Sequence, residues 1–254
     1  MTAPWPIDRN EEDFSLVLGG PLFQLLLRAG LVRPSMDLAH RRIITFALVT
    51  WLPLVVLTAT AGTFARGVAV PFLYDVDAHV RFLIALPLLI AAEVIVHRRI
   101  REVVAQFQER GLIAPEEQRS FDAIVAQAMR LRNSTLVEVF LLVLAFTGGY
   151  WLWRSHATLH VNTWYAVRME DTAPFTRAGY WYAFVSLPIV RFIIFRWYFR
   201  MFIWYVFLFR VSRLRLRLNP LHPDRAGGLG FLSLSVGALT PVLIAQSALL
   251  SALI

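Results

Sequence analysis

The sequence predicts an all-α integral membrane protein, and three observations carry that prediction. The chain of 254 residues is 57% hydrophobic, and its mean hydropathy of +0.58 is one that soluble domains of this length seldom reach. Several apolar runs have the length of about 20 residues that carries a helix across a hydrocarbon core of about 30 Å. The arginines between those runs alternate, dense in one set of segments and sparse in the other.

The apolar runs define five spans: Ile43–Phe64, about Val80–Val96, Leu136–Trp153, about Trp181–Tyr205, and Leu229–Ile254. The chain therefore divides into an N-terminal segment, 1–42, and a transmembrane helical domain, 43–254, with an amphipathic loop at 97–135. Arg9, Arg28, Arg33, Arg41 and Arg42 precede the first span. Arg98, Arg99, Arg101, Arg110, Arg119, Arg130 and Arg132 follow the second, and Arg210, Arg213, Arg215, Arg217 and Arg225 follow the fourth. The intervening loops carry only Arg66 and Arg81, then Arg154, Arg168 and Arg177. The positive-inside rule places the N-terminus and the Arg-rich segments in the cytoplasm. Aromatic belts agree, with Tyr150, Trp151, Trp153, Tyr180, Trp181 and Tyr182 outside and Trp197, Tyr198, Trp204 and Tyr205 inside. Ile254 ends within an apolar run, so the sequence reads as the front part of a longer protein.

The N-terminus lacks the basic start and small-residue cleavage site of a signal peptide; Asp8, Glu11, Glu12 and Asp13 make it acidic. Phe14–Val32 has apolar residues near helical spacing, interrupted by Gly19, Gly20 and Pro21. It reads as an interfacial or re-entrant helix. In the 97–135 loop, Ile100, Val103, Val104 and Phe107 form one helical stripe and Phe121, Ile124, Val125 and Ala128 another. Gly111 is a helix stop and Pro115-Glu116-Glu117 a helix start. Pro53, Pro87, Pro188 and Pro241 lie inside spans, as does Gly148-Gly149; kinked helices of this kind frame polar cavities, although both residues are common in membrane helices anyway.

Every basic residue is arginine, and the net charge is +8. In a polytopic chain this balance reads as interaction of cytoplasmic loops with anionic lipid headgroups rather than with nucleic acid. The Arg213-Leu-Arg-Leu-Arg-Leu218 alternation is such a strip. The absence of cysteine excludes disulfides, thiolate metal sites and cysteine nucleophiles. No nucleotide-binding glycine pattern or serine nucleophile elbow is present, so the sequence assigns no catalytic residue, cofactor or protein partner. His156 and His160 lack the glutamate of a zinc protease motif and a third ligand, which leaves no metal site.

Charges within the spans are the candidates for function, because charge in hydrocarbon is costly and is paired or used. At a rise of about 1.5 Å per residue, Arg191 lies roughly 15 Å below Trp181, Arg196 roughly 22 Å and Arg200 roughly 28 Å. Arg200 reaches the headgroups by snorkelling; Arg191 requires a partner. Glu93, about 20 Å into its span, falls between Arg191 and Arg196 and is expected to pair with one of them. Such a pair either fixes packing or handles a ligand or proton. Glu138, with Thr135, has the spacing of a capping box. A second candidate is the loop Asn219–Gly230. Its Gly227, Gly228 and Gly230 N–H groups suit an anion, Arg225 adds charge, and His222 and Asp224 suit a metal or a proton relay. The alternative is a helix-ending turn capped by Asp224.

Phe14-Ser-Leu-Val-Leu-Gly-Gly-Pro-Leu22, Arg196-Trp with Arg200, and above all His222-Pro-Asp-Arg-Ala-Gly-Gly-Leu-Gly-Phe231 resemble a family of uncharacterised polytopic bacterial inner-membrane proteins. The resemblance implies a multi-pass inner-membrane protein with further spans after Ile254, and brings no activity with it. Three functional readings remain open. The chain binds, moves or is regulated by an anionic ligand; it is an enzyme acting on a lipid or polyprenyl phosphate; or it is a scaffold recruiting a partner through its amphipathic helices. The first, non-enzymatic, is favoured.

Overall fold

The computed structural model describes residues 14–28, 30, 38–156, 162–167 and 174–252. The acidic N-terminal residues, the His156/His160 pair and the side chains of Tyr150, Trp151 and Trp153 lie outside this description. Ten α-helices form the described part: α1 Pro21–Arg28, α2 Ala39–Thr50, α3 Leu52–Thr60, α4 Val76–His79, α5 Leu86–Glu109, α6 Gln118–Arg132, α7 Thr135–His156, α8 Arg177–Trp181, α9 Leu187–Val211 and α10 Ser233–Ser251.

The protein is an all-α membrane protein. Among the described residues, four helical segments are long and apolar enough to cross a membrane: Ala39–Thr60, Val76–Glu109, Arg177–Val211 and Gly230–Ser251. The third expected span is α7, of 22 residues, whose described apolar part, Thr135–Thr147, is shorter. In the first segment Pro53, which has no N–H to donate, falls in the first turn of α3, and the helix steps at Trp51.

The second and fourth spans begin earlier and end later than the apolar runs alone indicate. Each is built as α, then π, then α. Val80–Ala85 forms a π turn between α4 and α5, and Tyr182–Ser186 forms one between α8 and α9. Pro87 and Pro188 are the second residues of the helices that follow. A proline there removes one backbone N–H and crowds the carbonyl four residues back, and a widened turn relieves both. The two π turns touch, Arg81 donating to the Tyr182 hydroxyl at 3.3 Å.

Helix α5 is central. It packs on α10, α2 and α9, while α9 also packs on α6 and α7. Past the spanning part, α5 ends at Glu109 and Gly111 takes the left-handed conformation. A turn at Pro115–Glu117 then starts α6. The two amphipathic stripes pack within the chain: Val103, Phe107, Phe121 and Ala128 are buried. Phe107, Phe121, Phe207 and Phe231 form an aromatic cluster with ring centroids 5.1–6.4 Å apart. Ile124 and Val125 of the second stripe are half-buried.

The N-terminal segment differs from the expected helix. Phe14–Gly20 is an irregular strap, and among the described residues of this segment Pro21–Arg28 is the helical part. The strap is buried at Phe14, Ser15, Leu16 and Val17, with Phe14 against Trp204 and Phe207. The glycines explain the difference. Gly19 has φ +138°, and a β-carbon there would lie 2.3 Å from Asn133 Oδ1, a position only glycine fills without strain.

Candidate functional site

Six charged side chains from five helices converge where the strap crosses the bundle. Glu93 of α5 is at the centre, 6% exposed. One of its carboxylate oxygens accepts from Arg42 of α2 and the other from Arg200 of α9, the latter at 2.7 Å. The expected pairing of Glu93 with Arg191 or Arg196 is thus corrected. Depth counted along each helix separately does not fix which faces meet, and α9 turns Arg200 toward α5. Arg200 does not snorkel: it is 4% exposed, with its guanidinium 4.9 Å over the Trp197 ring. Trp197 in turn donates to the Leu89 carbonyl of α5 at 3.0 Å, fixing the two helices together beside the ion pair.

Arg196 faces α7. Its Nε lies 3.6 Å from Glu138 Oε1, beyond hydrogen-bond distance. Glu138 is therefore not a capping-box residue; its other oxygen accepts the Leu22 N–H at 3.2 Å. Arg132, at the end of α6, donates to the Ser15 carbonyl at 2.6 Å and to Asn133 Oδ1 at 2.9 and 3.0 Å. Burial, and then the neighbouring Arg200 cation, lower the Arg132 guanidinium to about 10. It remains charged at neutral pH. The Ser15 hydroxyl lies 2.8 Å from His97 Nδ1, a further tie between strap and α5.

Between these groups is a cavity of about 20 Å³ lined by Leu16, Gly19, Arg132, Glu138, Arg196 and Arg200, room for about one water molecule. Glu138 Oε1 and Arg42 Nη2 are buried without hydrogen-bond partners. The cluster holds Arg42, Arg132, Arg196 and Arg200 against Glu93 and Glu138, a formal excess of two positive charges.

Arg191 is not part of the cluster. It is half-buried, and among the described residues no carboxylate lies within ion-pair distance of it. The other sequence candidates are also elsewhere, in the loop before α10. There the Asp224 carboxylate accepts from the N–H groups of Ala226, Gly228 and Gly230 at 2.8–3.1 Å and lies 2.9 Å from His222 Nδ1. Desolvation pushes this carboxyl up, but those N–H groups and the His222 ring outweigh it and hold the group well below the usual carboxylate range. Of the glycine N–H groups expected to hold an anion, those of Gly228 and Gly230 are thus taken by the chain's own aspartate. Arg225 is exposed, with φ +53°. Asp224→Ala is expected to speed amide exchange at Ala226, Gly228 and Gly230 by about tenfold, the loss of roughly one ordinary hydrogen bond each, read by hydrogen–deuterium exchange.

Among the described residues no group of three or more metal-ligating side chains is assembled. No family model, curated protein or solved structure matches the chain.

Sequence reasoning missed Arg42, Arg132 and the role of Glu138. Arg42 and Arg132 stand in Arg-rich segments beside exposed arginines, so nothing local marks them. A carboxylate one turn into an apolar run was the available signal for Glu138.

Proposed function

We propose that the chain is a multi-pass protein of the bacterial inner membrane that binds an anionic ligand at the Arg42, Arg132, Arg196 and Arg200 cluster. The observation that carries this reading is the charge imbalance: two carboxylates stand against four arginines, Arg42 and Arg200 buried and Arg132 and Arg196 half-buried, beside a small cavity. Arginine keeps its charge when buried, and unpaired buried charge is costly, so an anion is the group that completes the cluster. Arg196 is the ligand-facing residue, because its ion pair is the longest of the set and it lines the cavity. A cavity of this size suits one small anion or one oxygen of a larger anionic group. It supports binding in this conformation; movement of the ligand requires the strap to part.

The arginine distribution supports an N-terminus in the cytoplasm, with the cluster toward that face and the Arg-rich ends of α5 and α9 against anionic headgroups. The resemblance of the His222–Phe231 stretch to polytopic bacterial proteins supports the inner membrane as the location. The enzyme reading, for which His222 or Asp224 would be the acid/base group, is weakened because Asp224 is committed to three backbone N–H groups. The scaffold reading is weakened because most of its stripe residues, Phe107 and Phe121 among them, are buried within the chain.

Trp197, stacked on Arg200, supplies the test. In phosphatidylcholine nanodiscs at constant ionic strength, chloride replacing gluconate is expected to change tryptophan fluorescence saturably. Arg196→Leu is expected to shift the midpoint by at least about tenfold, one lost charge-assisted contact, with the melting temperature retained. Identical titrations of wild type, Arg196→Leu and Arg196→Lys would refute the reading.

A further inference from the structure

The Arg-rich end of the bundle holds a second basic cleft, separate from the buried cluster. It is open, about 450 Å³ in volume, and lined by Arg110, Arg217, Asn219, His222, Gly227 and Gly228 together with Leu112. Three chain segments build it, and each is held by contacts of its own. Arg110 caps the end of α5, and its guanidinium lies 5.0 Å over the Phe231 ring. Arg217 is placed by backbone pairing: its N–H donates to the Leu112 carbonyl at 2.8 Å, beside the antiparallel bridge of Ile113 and Leu216. The loop is closed by the Asn219 N–H on the Gly227 carbonyl at 3.1 Å, and by Asp224 within.

Three features of this cleft point to one ligand chemistry. Among the described residues neither Arg110 nor Arg217 has a carboxylate within ion-pair distance, so both forks are open to an incoming anion. The carboxylate in this loop is turned inward onto its own N–H groups and does not line the cleft. His222 is held at Nδ1 by Asp224, and among the described residues its Nε2 has no partner, giving a third basic group along the cleft wall. Two guanidinium forks and an imidazole set around an open space suit a tetrahedral oxyanion, which offers paired oxygens to each fork.

We propose that this cleft binds a phosphate group, presented by a soluble phosphorylated molecule or by a phospholipid headgroup at the membrane surface. The site is independent of the buried cluster.

The test uses the full chain in phosphatidylcholine nanodiscs. One arm titrates inorganic phosphate calorimetrically; a second replaces part of the lipid with phosphatidylglycerol and counts retained lipid by native mass spectrometry. The Arg110→Gln, Arg217→Gln double variant is expected to lose about tenfold or more in whichever arm shows binding. Arg225→Gln removes a charge from the same loop outside the cleft and is expected to bind as wild type. Loss in the phosphate arm identifies a soluble ligand, and loss in the lipid arm alone identifies a headgroup. Equal loss in Arg225→Gln, or no loss in the double variant, overturns the proposal.

Discussion

Glu93→Ala is expected to destabilise the fold by about 3–5 kcal/mol, the cost of leaving a buried charge without its partner. The variant strands two cations at once. Arg42 and Arg200 are 4% exposed each, and both give a guanidinium N–H to this one carboxylate. They come from α2 and α9, and α5 separates them, so the loss acts on three helices. Thermal melting in detergent, read by size-exclusion chromatography, measures it. Glu93→Gln keeps the shape and one acceptor and is expected to fall between wild type and Glu93→Ala. A triple variant, Glu93→Leu with Arg42→Met and Arg200→Met, removes all three charges and is expected to recover most of the loss. If Glu93→Ala melts as wild type, the ion triad is not what joins these helices.

Gly179→Ala is the second large effect, expected to cost about 3 kcal/mol or more through overpacking. A β-carbon at this position in α8 would lie 1.9 Å from the Tyr165 carbonyl oxygen. That oxygen cannot retreat freely, because it accepts the Thr176 N–H at 3.0 Å. The Thr176 hydroxyl in turn donates to the Trp164 carbonyl at 2.8 Å and accepts the Gly179 N–H at 3.0 Å. Displacing this turn moves Trp164, which is fully buried. Its indole N–H donates to Asp75 at 2.7 Å and its ring lies 4.9 Å from Phe72. Near-ultraviolet circular dichroism is expected to report the loss along with a lower melting temperature. Gly237→Ala is the contrast. Nothing lies within 4 Å of a β-carbon there, in α10, so helix propensity alone acts and stability is expected to rise by about 0.5–1 kcal/mol. If the two glycines respond alike, crowding at Tyr165 is not the cause.

The fold class was legible because a membrane-spanning helix announces itself by composition over about 20 residues, and no tertiary knowledge is needed to see it. The helix stop at Gly111 and the start at Pro115 were legible for a similar reason, since backbone geometry is imposed by single residues. The strap was not. Leu22, Leu25 and their neighbours kept helical spacing, while Gly19 served a close approach to Asn133 on another element that spacing does not reveal. The site was half legible. Glu93, Arg196 and Arg200 stood out as charges in apolar runs, but who pairs with whom depends on how α2, α5 and α9 are rotated about their axes. Arg42 shows the limit most plainly. It follows Arg41, which is exposed, and only the fold makes one a surface charge of α2 and the other half of a buried ion pair.

The two π turns have a consequence for reading these helices as amphipathic surfaces. Each wide turn inserts about one residue into the helical repeat, and one residue is about 100° of rotation around the axis. Residues 76–79 and 86–109 are therefore two wheels with an angular offset between them, and so are 177–181 and 187–211. Since Pro87 and Pro188 cannot supply the N–H that would tighten the turn, the offset is built in. A substitution scan along either span should show its burial pattern jump in phase at Val80–Ala85 and at Tyr182–Ser186 rather than run through at a single period.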